Sequence, residues 1–165
     1  MLHLYWGDGK GKTTAAMGLA LRALGHGRRV VVLQFLKDGT SGEIALLRRC
    51  GAEVHACPNA KFTWLMTEAE RAEARQHNTE TLRDALDTPF DLLVLDEACA
   101  ACRHQLVDEA LLRQAAAMAK QGREVVLTGR DPAPWMQDAA DYSTELRAVR
   151  HPYTQGIPAR EGIEY

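Results

Sequence analysis

The sequence predicts an α/β fold: a single doubly wound, mainly parallel sheet flanked by helices. Short, near-continuously apolar runs, as expected of parallel strands covered on both faces, alternate with helical stretches. A glycine-rich turn joins the first strand to the first helix, where α/β sheets hold nucleotides. No long linker, low-complexity tract or internal repeat breaks the alternation, so residues 1–165 read as one domain, long enough to bury a sizeable core.

The first strand is residues 2–5, in the apolar stretch that ends at Trp6. The run Gly7-Asp8-Gly9-Lys10-Gly11-Lys12-Thr13-Thr14 breaks it and opens a helix over residues 13–24, with Gly25 as the natural cap. Residues 30–35 form the next strand and residues 53–56 a shorter one. Thr67 and Glu70 make a capping box that opens a helix running to about Leu86. A strand follows at residues 92–95, then an alanine- and leucine-rich helix at 108–120 stopped by Gln121-Gly122. Residues 125–127 form another strand, and residues 142–149 are a further candidate. The tail, with Pro152, Gly156, Pro158 and Gly162, should form no regular structure. Its aromatic and isoleucine residues favour a segment 150–165 folded over the site.

The glycine-rich run is a phosphate cradle. Glycines let backbone N–H groups turn inward, and the following helix aims its positive end at an anion. Lys12 adds a compact cation and Thr13 a hydroxyl suited to Mg²⁺. In the P-loop pattern G-x-x-x-x-G-K-[ST], Gly11, Lys12 and Thr13 fit, whereas Trp6 stands at the first glycine. The fold is thus expected to be of the P-loop NTPase, RecA-like kind.

Ligands of such sheets lie beyond the carboxyl ends of the strands, which singles out Gly7 to Thr14, Lys37 to Glu43, Asp96-Glu97 and Gly129-Arg130. Leu92-Leu93-Val94-Leu95-Asp96-Glu97 is an apolar strand ending in two carboxylates, the Walker-B arrangement that holds magnesium beside a P-loop. Arg130 is either a bidentate phosphate ligand or a surface arginine.

Net charge −2 gives no support to nucleic-acid binding. No apolar run approaches the ~20 residues that cross a bilayer, and polar residues follow too soon after the start for a signal peptide, so a cytoplasmic protein with reduced cysteines is expected. Cys99 and Cys102 form a C-x-x-C pair, but Cys50 and Cys57 supply no second pair at that spacing, which favours buried small residues over metal or redox chemistry. The loop Phe62-Thr63-Trp64 holds two large aromatics, which composition alone assigns to the core.

Together these segments, with Gln34-Phe35-Leu36-Lys37, Gly42-Glu43, Leu127-Thr128-Gly129-Arg130, Glu145-Leu146-Arg147 and the tail from His151-Pro152 to Tyr165, resemble the ATP:corrinoid adenosyltransferases in order and over nearly the whole chain. The resemblance implies that Co(I) of a corrinoid attacks the 5′-carbon of ATP, releasing intact triphosphate from a nucleotide that lies reversed in the P-loop. It assigns Gly7, Asp8, Gly9, Lys10, Gly11, Lys12, Thr13, Thr14, Lys37, Glu43 and Arg130 to the nucleotide, with Lys12 also catalytic. Thr13 and Glu97 would bind magnesium with Asp96 in support. Phe62 and Trp64 would displace the lower axial ligand of Co(II), easing its reduction, which replaces the core assignment. It further implies a reductant such as a flavoprotein and a homodimer. Many members carry a helical extension before the first strand, and this sequence opens almost at that strand. Cys99-Ala100 stands where members often carry a polar residue and tyrosine. A phosphoanhydride-cleaving kinase or NTPase, and a binding module without turnover, are the competing readings.

Overall fold

In the computed structural model, residues 1–58, 61 and 63–164 are described. The strands are Leu2–Trp6 (β1), Val30–Gln34 (β2), Glu53–Ala56 (β3), Leu92–Asp96 (β4), Glu124–Gly129 (β5) and Tyr142–Glu145 (β6). Among the described residues they form one six-stranded sheet in the order β3-β2-β4-β5-β1-β6, with every pair parallel. The helices are Lys12–Gly25 (α1), Gly42–Arg49 (α2), Glu68–Asp87 (α3), Ala98–Arg103 (α4), Glu109–Ala117 (α5) and Pro134–Ala139 (α6). This is the α/β architecture expected of a P-loop NTPase-like domain. β5 stands between β1, which feeds the glycine-rich loop, and β4, which ends in Asp96.

Both faces of the sheet are covered, which explains why the central strands lack a polar alternation. Val30 and Val32 pack on one side with Ala16, Met17 and Ala20 of α1 and Ile44 and Leu47 of α2. Val31 and Leu33 pack on the other with Leu82 of α3, Leu112 of α5 and Met136 of α6. Each of the valine, leucine, isoleucine and methionine side chains contributes roughly 1.5–3 kcal/mol on burial. β6, at the edge, is exposed along its length and carries no such run.

Several boundaries differ from expectation for local reasons. α1 runs through Gly25, and Gly27, at φ +69°, is the residue in the left-handed region beyond the helix. The helix expected over 108–120 is α5 followed by a 3₁₀ turn at Met118–Gln121, stopped as expected at Gly122, φ +84°. The capping box of α3 forms as predicted, with Thr67 Oγ1 accepting from Glu70 N and Glu70 Oε2 accepting from Thr67 N. The strand expected over 142–149 ends at Glu145, because the chain then bends over the glycine-rich loop: Leu146 N donates to Trp6 O, and Leu146 O accepts from Gly9 N at 2.7 Å. The tail is not wholly irregular, since Pro152–Gln155 makes a 3₁₀ turn in which His151 Nδ1 accepts from Tyr153 N.

Gly129 ends β5 at φ +146°, with the Cβ of Cys99 standing 2.6 Å from where its own Cβ would be. Glycine is required there twice over, by the backbone and by the packing of α4 on β5. Gly129→Ala should therefore destabilise the fold by about 2 kcal/mol, read as a lowered Tm. Cys99→Ala should not rescue it, because the blocking atom is Cβ and not sulfur; full rescue would show that the clash is absent.

Candidate nucleotide and cation site

The glycine-rich loop turns at Gly7 (φ +113°) and Gly11 (φ +115°), both in the left-handed region. A Cβ on Gly7 would collide with the Leu146 carbonyl, and one on Gly9 would lie 2.7 Å from it. Trp6, at the motif's first-glycine position, instead ends β1 and donates from Nε1 to Ser143 Oγ at 3.0 Å. The glycine requirement has moved to Gly7, one residue on. α1 begins with no side-chain cap and no acidic residue in its first turn. Its first N–H groups lack intrahelical partners and concentrate positive potential where an anion would sit.

Lys12 Nζ donates to Gly9 O at 2.6 Å. Burial, and then the Arg130 charge, lower its pKa from the usual lysine range. Asp8 faces the other way: its Oδ1 accepts from Ala148 N at 3.0 Å, the main cause of its lowered pKa. Beside it a cavity of about 470 Å³ is bordered by Trp6, Gly7, Asp8, Arg130 and Arg147.

Asp96 is the hub on the other side of Lys12. It is fully buried at the end of β4. Its Oδ1 accepts from Thr13 Oγ1 at 2.9 Å and Thr128 Oγ1 at 2.7 Å; its Oδ2 accepts from Lys37 Nζ at 2.7 Å and Gln34 Nε2 at 3.2 Å. Lys37 also donates to Thr13 Oγ1 at 2.8 Å and lies 4.0 Å from Glu97 Oε1. Glu97 takes a left-handed conformation, φ +62°, with its N–H on Thr128 Oγ1 at 2.9 Å. Burial, then the neighbouring Asp96 charge, raise its pKa.

The structure thus brings Gly7, Asp8, Gly9, Gly11, Lys12, Thr13, Lys37, Asp96 and Glu97 around one loop, with Arg130 close enough for its charge to act on Lys12 and Asp8. Lys10 and Thr14 belong to the same loop and first turn and are exposed. Gly9 already gives its N–H to Leu146 O, which leaves the first turn of α1 as the source of open amides. Glu43 lies in the first turn of α2, and among the described residues no hydrogen bond or ion pair joins it to the loop. Trp64 is 73% exposed in a 3₁₀ turn, Thr63–Leu65, whose Thr63 carbonyl accepts from Arg71 of α3, so the core assignment from composition does not hold for it. Phe62 lies outside the described residues. Sequence reasoning gave no role to Thr128, Gln34 or Leu146. The first two are polar residues in the last turns of otherwise apolar strands, a signal the strand-end rule contains.

A parallel sheet, a glycine-rich loop feeding an uncapped helix, and a threonine–carboxylate pair at the next strand but one define a P-loop nucleotide-binding protein. The model of the family described as ATP:corrinoid adenosyltransferase BtuR/CobO/CobP matches residues 1–165. A corrinoid adenosyltransferase of Pseudomonas aeruginosa is 38% identical over 100% of this chain and 83% of its own length. Those of Escherichia coli K12 and Salmonella typhimurium are 36% and 38% identical, each over 100% of this chain and 85% of their own. The chain belongs to the ATP:corrinoid adenosyltransferase family, for which ATP is the co-substrate.

Cys99 and Cys102 are buried on α4, and burial pushes the Cys99 thiol up to about 12. Among the described residues no group of three or more His, Cys, Asp or Glu could hold a metal ion. Because a raised thiol pKa leaves the protonated, unreactive form at ordinary pH, alkylation of the native protein at about pH 8 should label exposed Cys50 and spare Cys99 and Cys102. Peptide mapping by mass spectrometry checks this, and equal labelling of all three would reopen a role for the pair.

Proposed function

We propose that this chain transfers the 5′-deoxyadenosyl group of ATP to Co(I) of a corrinoid, releasing triphosphate, in adenosylcobalamin synthesis or salvage. The observation that carries this is the open N-terminus of α1, with Lys12 beside the Thr13–Asp96–Glu97 cluster, in a chain matched end to end by the family. The cobalt–carbon bond forms as the C5′–oxygen bond breaks. The electron pair of the broken bond leaves with the triphosphate, and cobalt passes formally from Co(I) to Co(III). The nucleophile carries no proton, so no general base is required. Lys12, the first-turn amides of α1, Thr14 and Arg130 hold the triphosphate and meet its growing charge with fixed donors, which is electrostatic catalysis of a displacement.

The residues fit Mg²⁺. Thr13 Oγ1 and the Glu97 carboxylate are hard oxygen donors, with Asp96 behind them. Gln34 Oε1 is buried without a hydrogen-bond partner, the kind of acceptor a metal-bound water satisfies. Bound there, Mg²⁺ would neutralise charge on the leaving triphosphate.

Phe62 and Trp64 act on the corrinoid, displacing its lower axial ligand so that Co(II) accepts an electron more readily. The exposure of Trp64 suits contact with a large flat substrate. Residues 1–165 act as a single domain whose segment 150–165 folds over the site, a reading supported by the aromatic and isoleucine residues it carries. A flavoprotein reductant, a homodimer and a cytoplasmic setting complete the reading. The free cysteines suit that reducing compartment, and among the described residues no helix is long and apolar enough to cross a membrane.

Purified protein with MgATP and chemically reduced Co(I) corrinoid should give a light-sensitive adenosylcorrinoid and one triphosphate per turnover, followed by absorbance and phosphate analysis. ADP or orthophosphate as product would replace the transferase with an NTPase, and binding without alkylation would replace it with a non-catalytic module. Trp64→Ala should lose activity, by roughly tenfold or more, when Co(II) corrinoid is supplied with a reductant, and should recover it on prereduced Co(I). Equal loss under both conditions would sink the reduction role.

A further inference from the structure

Lys37 Nζ stands where three oxygens converge: 2.8 Å from Thr13 Oγ1, 2.7 Å from Asp96 Oδ2 and 4.0 Å from Glu97 Oε1. These are the oxygens that the proposed function gives to a divalent cation and its support. An ammonium and a divalent ion in the same cage would repel strongly in so poorly solvated a place. Asp96 has no exposed surface, and among the described residues no other cationic side chain forms an ion pair with it. The lysine is one-third exposed and sits on a flexible four-carbon stem, so it can leave the cage without unfolding anything. Its place beyond the end of β2, above Thr13, lets the same ammonium meet an anion on the loop.

We propose that Lys37 is a tethered cation that fills the divalent-metal position in the free protein, and that metal gains the site only when a bound triphosphate draws the ammonium away. The proposal rests on the reading of the loop as a triphosphate site. It makes metal and nucleotide binding mutually dependent. Without nucleotide, the ammonium holds the buried carboxylate in a neutral pair and excludes free metal. With nucleotide, one positive group is exchanged for another at Asp96 and Glu97, while Lys37 moves onto the phosphate oxygens.

Mn²⁺, whose unbound fraction is counted by electron paramagnetic resonance, tests this with wild-type, Lys37→Ala and Lys37→Gln proteins, each with and without ATP and with no corrinoid present. Without nucleotide, both variants should bind Mn²⁺ at least about tenfold more tightly than wild type, and ATP should close most of that gap. Mn²⁺ alone should raise the Tm of the variants while leaving wild type nearly unchanged. Lys37→Gln keeps a hydrogen-bond donor beside Asp96 and carries the comparison if Lys37→Ala does not fold. Equal or weaker Mn²⁺ affinity in the folded variants without nucleotide would overturn the proposal. ATP affinity of wild type, measured in the same samples, tests the loop separately: its absence would overturn the triphosphate reading, while the nucleotide-free Mn²⁺ comparison would still decide what Lys37 does.

Discussion

A carboxylate sealed from water at the end of the central strand sets the terms for the rest of the molecule. An unpaired, buried Asp96 would cost several kcal/mol of desolvation. Four donors arrive to prevent that: Thr13 from α1, Gln34 from β2, Lys37 just beyond β2 and Thr128 from β5. One side chain thereby fixes the register of its two flanking strands and the start of the helix that follows the loop. The sheet order makes this possible, because β4 has β2 on one side and β5 on the other.

The second constraint is the close cover on the loop. Leu146 accepts from Gly9 while Asp8 accepts from Ala148, so the bend after β6 is laced to the loop from both directions. The approach is so close that no side chain fits at Gly7 or Gly9. Gly9 therefore serves the packing of the protein on itself, Gly7, at φ +113°, serves both that packing and the turn, and Gly11, with φ +115° at the start of α1, serves the turn that exposes the helix amides. An exposed edge strand otherwise lacking buried side chains earns its place by this contact.

Much of this was legible in the chain. Central strands read as unbroken apolar runs because helices cover both faces, and the capping box at Thr67 and Glu70 marks the start of α3 by local sequence alone. The loop and the Asp96-Glu97 pair were legible because their chemistry is tied to short spacings. What escaped depends on long-range contact. Nothing local distinguishes 146–149 as a continuation of β6 from a cover over the loop. The short helices α2 and α6 lack the length that makes a periodic pattern stand out. Thr128 and Gln34 acquire meaning only when parallel pairing sets them against Asp96. Trp64 shows the limit of composition: a large aromatic is usually buried, the family resemblance already set that assignment aside, and in the fold this one is exposed.

The disposition of Glu97 bears on which reaction the site is built for. A phosphoanhydride-cleaving enzyme needs a group free to orient water or an acceptor hydroxyl, and Glu97 is the carboxylate best placed for it. Yet its backbone is held at φ +62°, a strain of roughly 1–3 kcal/mol for a non-glycine residue. Its N–H is bound to Thr128, and its carboxylate faces Lys37. That geometry points the carboxylate at a cation, whether the ammonium or a divalent metal, and away from the duty of a mobile base. A displacement at carbon by a proton-free nucleophile asks for no base, only for positive groups held still around a departing polyanion. Lys12, whose ammonium is fixed on Gly9 O, and the open end of α1 are groups of that kind.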